Sequence, residues 1–129
     1  MSHFKLKEVP IPIYRGNLII IFTDDNEKLA NTIELDSVKE IESVYCHTMF
    51  ANRNGEQGIF LVFNFKNKDR AVTHGCIAHE AIHAANFLFG DRGIVLDTDN
   101  DEAFAYFVEW VVDQVYAFVR ECKFKPTSL

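Results

Sequence analysis

The sequence predicts a single α+β domain, and three observations carry that prediction. The run Leu18-Ile19-Ile20-Ile21-Phe22 is apolar throughout and mostly β-branched, the pattern of a strand buried on both faces. Residues 41–50 and 58–65 are rich in β-branched and aromatic types, and Asn52-Arg53-Asn54-Gly55-Glu56 between them is turn chemistry, so the two runs form a hairpin. Residues 71–89 and 100–122 then make two helices, separated by Gly90-Asp91-Arg92-Gly93 and an acidic loop.

The 129 residues suit one domain with one core, residues 1–129, with strands and a short helix in 1–65 and the two helices after them. Phe4, Leu6 and Val9 alternate with polar residues until Pro10 and Pro12 interrupt the pattern, and Gly16-Asn17 marks a turn. Asp24 or Asp25 caps a short helix running to about Ile33, with Glu27 in its first turn. In the second arm of the hairpin Ile59, Leu61, Phe63 and Phe65 share one face, while Phe60 and Val62 take the other, so both faces are covered. The tail from Lys123 to Leu129 reads as loose.

Composition narrows the function. Hydrophobic residues make up 48% of the chain, twelve of them phenylalanine, enough for a compact core. A formal charge of −6 repels phosphate backbones and argues against a nucleic-acid partner. Three cysteines, with no Cys-x-x-Cys pair, favour reduced thiols over a disulfide framework. The first residues lack the apolar run of a signal peptide, and no apolar run approaches a bilayer span. The expectation is a cytoplasmic protein with no membrane partner.

The chemistry concentrates in His79-Glu80-Ala81-Ile82-His83. Two histidines four apart on a helix project from the same side, so two imidazole nitrogens converge on one point, as a zinc ion needs at about 2 Å from each. The intervening glutamate falls at the edge of that face, where it can take a proton from metal-activated water without ligating. Ile77, Ala78, Ala81, Ala84, Ala85, Leu88 and Phe89 make the rest of the helix apolar, and no Lys or Arg occurs between Ala71 and Gly90. Two imidazoles and a carboxylate on so apolar a helix need partners. The competing reading is a solvated face that carries these residues by chance. Asn86 lies on the same stripe and is a candidate to support the ligands. Cys76, one turn before His79, reads as core, and His74, about 140° around the helix from His79, as a core or interface histidine.

A catalytic zinc site usually takes three protein ligands and leaves one position open. The extended motif with a third histidine six residues on fails here, because that position is Phe89. An acid on the second helix remains, and Glu102, nineteen residues beyond His83, leads. It heads a polar stripe with Tyr106, Glu109, Asp113, Tyr116 and Arg120 on a strongly amphipathic helix. Against this, Asp99-Asn100-Asp101-Glu102 also reads as a helix start, with Asp99 as N-cap and Glu102 closing a capping box. Asp99, Asp101 and Glu109 stand as alternative ligands.

These residues resemble the gluzincins, zinc metallopeptidases with a His-Glu-x-x-His helix and a ligating Glu on a following helix. Closer still is the likeness to small proteins of phage and bacterial genomes. It rests on the stretch from Val72 to Ala85 and on Asn100-Asp101-Glu102-Ala103-Phe104-Ala105-Tyr106, and spans about residues 59–120. The resemblance implies a zincin-like fold, a small twisted sheet packed on the motif helix and an antiparallel Glu-bearing helix. It implies one zinc per chain on His79, His83 and Glu102, with Glu80 as general base in hydrolysis of a peptide or protein substrate. The position four residues after the ligating Glu, often an acid in gluzincins, is Tyr106 here, which accepts a histidine N–H less strongly. A non-enzymatic scaffold that keeps the metal for structure or binding is the alternative function.

Overall fold

The computed structural model describes residues 2–33, 46–66 and 72–122. Strand β1, Phe4–Pro10, turns back into β2, Asn17–Thr23, and helix α1, Asn26–Thr32, follows. Strands β3, Cys46–Arg53, and β4, Glu56–Asn64, form the hairpin, and helices α2, His74–Asp91, and α3, Glu102–Glu121, follow. The part of the expected first hairpin arm before Cys46, and the tail from Lys123, lie outside the described residues.

The four strands form one mixed sheet in the order β1-β2-β4-β3. β1 and β2 are antiparallel, β2 and β4 parallel, and β3 and β4 antiparallel. The two apolar runs seen in the sequence thus become the two central strands, in register Leu18 with Ile59 through Phe22 with Phe63. Each is covered on both sides. Ile19, Ile21, Phe60 and Val62 pack under α1 through Leu29 and Ile33. Leu18, Ile20, Phe22, Ile59, Leu61 and Phe63 pack under α2 and α3. Among the described residues the result is three layers, with the small helix α1 on one face and the pair α2 and α3 on the other.

Local chemistry sets the boundaries. Asp25 caps α1, its side chain accepting from the Lys28 N–H at 3.0 Å. Asn54 and Gly55, at φ 54° and 82°, make the two-residue turn of the β3–β4 hairpin, tighter than the five-residue turn the sequence suggests. Thr73 caps α2 by accepting from the Cys76 N–H at 3.1 Å, which starts the helix three residues later than its periodicity predicts. The other end closes with Gly93 at φ 70°. The Ile94 N–H reaches the Phe89 carbonyl at 2.8 Å and the Gly93 N–H that of Gly90 at 3.2 Å, a Schellman closure. The helix therefore runs through Asp91.

Gly58 lies close against β2. A Cβ there would overlap Cδ1 of Ile19 and press on the Asn17 carbonyl at 3.2 Å. Gly58→Ala is expected to cost about 1–3 kcal/mol in denaturant unfolding, since a packed core yields poorly to an added methyl. A change under about 0.5 kcal/mol would show that Ile19 can move aside.

Candidate metal centre

Three side chains of α2 converge. The potential ligand atoms of His79, Glu80 and His83 all lie within 4.8 Å of one another, so this cluster could hold a metal ion. The spacing of four brings the two exposed imidazoles together, ring centroids 4.8 Å apart and Nε2 atoms at 3.1 Å. Two nitrogens each about 2.05 Å from a tetrahedral ion would stand about 3.3 Å apart, so the pair needs only a small adjustment to fit zinc.

Glu80 differs from its neighbours. It is only 3% exposed, the one buried charged side chain among the described residues, and its Oε2 has no hydrogen-bond partner. Burial pushes its carboxyl above the usual 4.5, while the nearby His83, His79 and His47 and a hydrogen bond from Thr48 pull the other way. A buried carboxylate oxygen left unpaired is costly unless something charged or hydrogen-bonding meets it. A divalent cation beside two imidazoles is such a partner, and on this ground the donor set fits a divalent metal ion.

The neighbours of the cluster come from β3. The Thr48 hydroxyl donates to the Glu80 main-chain carbonyl at 3.1 Å, and Phe87 of α2 meets Phe50 edge-on at 5.3 Å. Cys46 also packs here, its thiol raised by burial, by the Glu80 charge and by a hydrogen bond with Cys76. The Cys46 sulfur is thus held away from the thiolate form that ligates metal. Cys76 is buried, as expected. β3 is an edge strand of the described sheet, so the histidine stripe lies beside a sheet edge. Sequence reasoning missed Thr48 and His47. The alternation of β3 carries the signal for Thr48, which shares the helix-facing side with Cys46 and Phe50.

Helix α3 lies on the other flank of α2. Phe89 packs on Phe104 and Phe107 at 6.0 and 6.1 Å, and His74 stacks on Tyr116 at 5.5 Å, its Nδ1 bonded to the phenol. His74 is therefore an exposed interhelical histidine. This antiparallel register sets Glu102 level with the end of α2, about 10 Å along the axis from His83 at about 1.5 Å per residue. Phe107, Val111, Val115 and Phe118 form the buried arc of α3. Glu102, Tyr106, Glu109 and Asp113 lie opposite that arc and are exposed.

The structure therefore brings His79, Glu80 and His83 together and does not bring Glu102 to them. Tyr106 is 66% exposed and faces a different cavity, and Asn86 stays exposed on the histidine stripe, one turn past His83. The capping box does not form either. Asp101, not Asp99, is the N-cap, without a side-chain bond, and Glu102 is the first helical residue. Asp97 instead accepts from the Asp99 N–H at 2.9 Å and shapes the loop.

No helix among the described residues is long and apolar enough to cross a membrane. No protein-family description, no curated protein and no solved structure matches the chain.

Proposed function

We propose that the chain is a zinc-dependent hydrolase of the metallopeptidase type, on a zincin-like scaffold, with His79 and His83 as ligands and Glu80 as general base. The observation that carries this reading is the buried Glu80 carboxylate, whose Oε2 has no hydrogen-bond partner, beside two imidazole nitrogens 3.1 Å apart. Bound there, the metal would supply Lewis acidity, acidifying water and polarising a carbonyl oxygen. Glu80 contributes a carboxylate shielded from bulk solvent, which takes a proton and returns it to the leaving amine. Thr48 anchors the main chain of Glu80, which fixes the turn of α2 that carries it. The position of β3 at the edge of the described sheet supports a peptide substrate, because an extended chain can add to a strand edge beside the site.

A second reading, a metal-stabilised binding scaffold without hydrolysis, draws on the placement of Glu102. Among the described residues only two imidazoles and Glu80 converge. Elemental analysis of protein purified without a chelator or a histidine tag decides whether the metal reading stands. About one equivalent of zinc is expected, and chelation should lower the melting temperature, because a metal bound only by the folded state stabilises it by mass action. Less than about a tenth of an equivalent after zinc dialysis sinks both readings. Full occupancy with no cleavage of a fluorogenic peptide library selects the scaffold.

A further inference from the structure

The end of the molecule where α2 closes and α3 begins carries an apolar surface that the metal site does not use. A cavity of about 350 Å³ opens between the β1–β2 loop and α3, lined by Ile13, Tyr14, Tyr106, Phe107 and Trp110. Ala103 also lines a smaller cleft formed with Ile94, Val95 and Leu96, so the two adjoin at that residue. Ile13 is 91% and Val95 87% exposed, beside Leu96 and Tyr106. Water-facing aliphatic groups clustered around a cavity mark an interaction surface rather than scattered surface residues.

The surface is built, not loose. Ile13 stands at φ 69°, a conformation a β-branched residue adopts only under constraint. The constraint is visible: the Arg92 guanidinium donates to the Tyr14 carbonyl at 3.0 Å and the Arg15 carbonyl at 2.8 Å, and the Tyr14 ring abuts Phe89 and Phe107. Anchored on both sides, the loop projects Ile13 outward at the mouth of the cavity.

Charge says what covers it. From Gly93 to Val119 the sequence holds Asp97, Asp99, Asp101, Glu102, Glu109 and Asp113 and no Lys, Arg or His, while the facing β1–β2 loop adds Arg15, and Arg92 behind it is paired with Asp91, so acids outnumber bases around the clefts. All six acids are exposed, and the first four sit in the loop and helix start beside the apolar clefts. Two copies of this face would set acid against acid, and anionic lipid headgroups or a phosphate backbone would be repelled. We infer that this surface docks a protein segment with large aliphatic or aromatic anchors flanked by Lys and Arg. The anchors fill the clefts around Ile13, Val95 and Trp110, and the basic flanks meet the acidic rim. Helix-in-groove docking by a basic amphipathic segment is the recognition mode that fits.

Trp110, the only tryptophan of the chain, lines the cavity and reports on it directly. Titration of the full chain with a short amphipathic helix made of Leu and Lys should shift Trp110 emission to the blue and saturate, with weaker binding as salt rises. Ile13→Asp and Val95→Asp, each shown by circular dichroism to be folded, should each weaken binding at least about tenfold. Ile82→Asp, on an exposed apolar residue of α2 outside the clefts, should not. An equal response to the same pattern built of Leu and Glu, no saturation, or full binding by Ile13→Asp overturns the inference. So does a dimer in sedimentation that Ile13→Asp dissolves, which would assign the face to a second copy, or a Trp110 shift on anionic vesicles. Loss of zinc binding elsewhere leaves this result unchanged, so the two readings fail separately.

Discussion

Glu80→Gln is expected to leave zinc bound and the fold intact while cutting hydrolysis of any substrate found by about 10²–10⁴-fold. The amide keeps the size of the side chain but cannot take a proton. The substitution also has a readout without substrate. In the metal-free protein burial raises the Glu80 carboxyl above its ordinary 4.5. A raised carboxyl contributes stability that is fully present below the unfolded value and is lost as pH rises through the folded one. Glu80→Gln should remove that pH dependence, so wild type loses ground to the variant between acidic and neutral pH. A variant that keeps its activity, or that loses its metal, removes Glu80 from the role of base. A variant less stable than wild type at neutral pH would make Glu80 a structural residue.

Removing a histidine should have the other large effect. His79→Ala or His83→Ala is expected to weaken zinc affinity at least about 100-fold, because each takes away one of the two imidazoles that converge and a lone histidine gives no chelate. Neither should cost much in metal-free stability, since both rings are exposed. Isothermal titration with zinc, compared with Glu102→Gln, also resolves the third ligand. With Glu102 exposed on the solvent side of α3 and about two turns from His83, Glu102→Gln should change affinity less than about twofold. A tenfold loss in that variant would return Glu102 to the metal, and unchanged affinity in His79→Ala would end the zinc reading.

Much of this arrangement is legible in the residues. The spacing of His79 and His83 specifies a shared helical face wherever the helix goes, because periodicity is a property of the backbone alone. The unbroken apolar runs at Leu18–Phe22 and Ile59–Phe63 demand strands covered on both faces, and they become the centre of the sheet. The ends of α2 are less closely legible: the sequence suggests 71–89, whereas the Thr73 cap and the Gly93 closure set them at His74 and Asp91. What the residues leave open is which surface each polar stripe faces. The acids of α3 and the histidines of α2 each form a stripe that looks ready to meet the other. Packing turns the apolar arc of α3, from Phe107 to Phe118, inward, and so turns its acids out to water. Apolar burial outweighs any attraction between exposed charges in deciding the rotation of a helix. Only the assembled layers could decide that β3 would flank the histidine pair, that α3 would lie on the other side, and that Glu80 would be buried with its Oε2 unpaired.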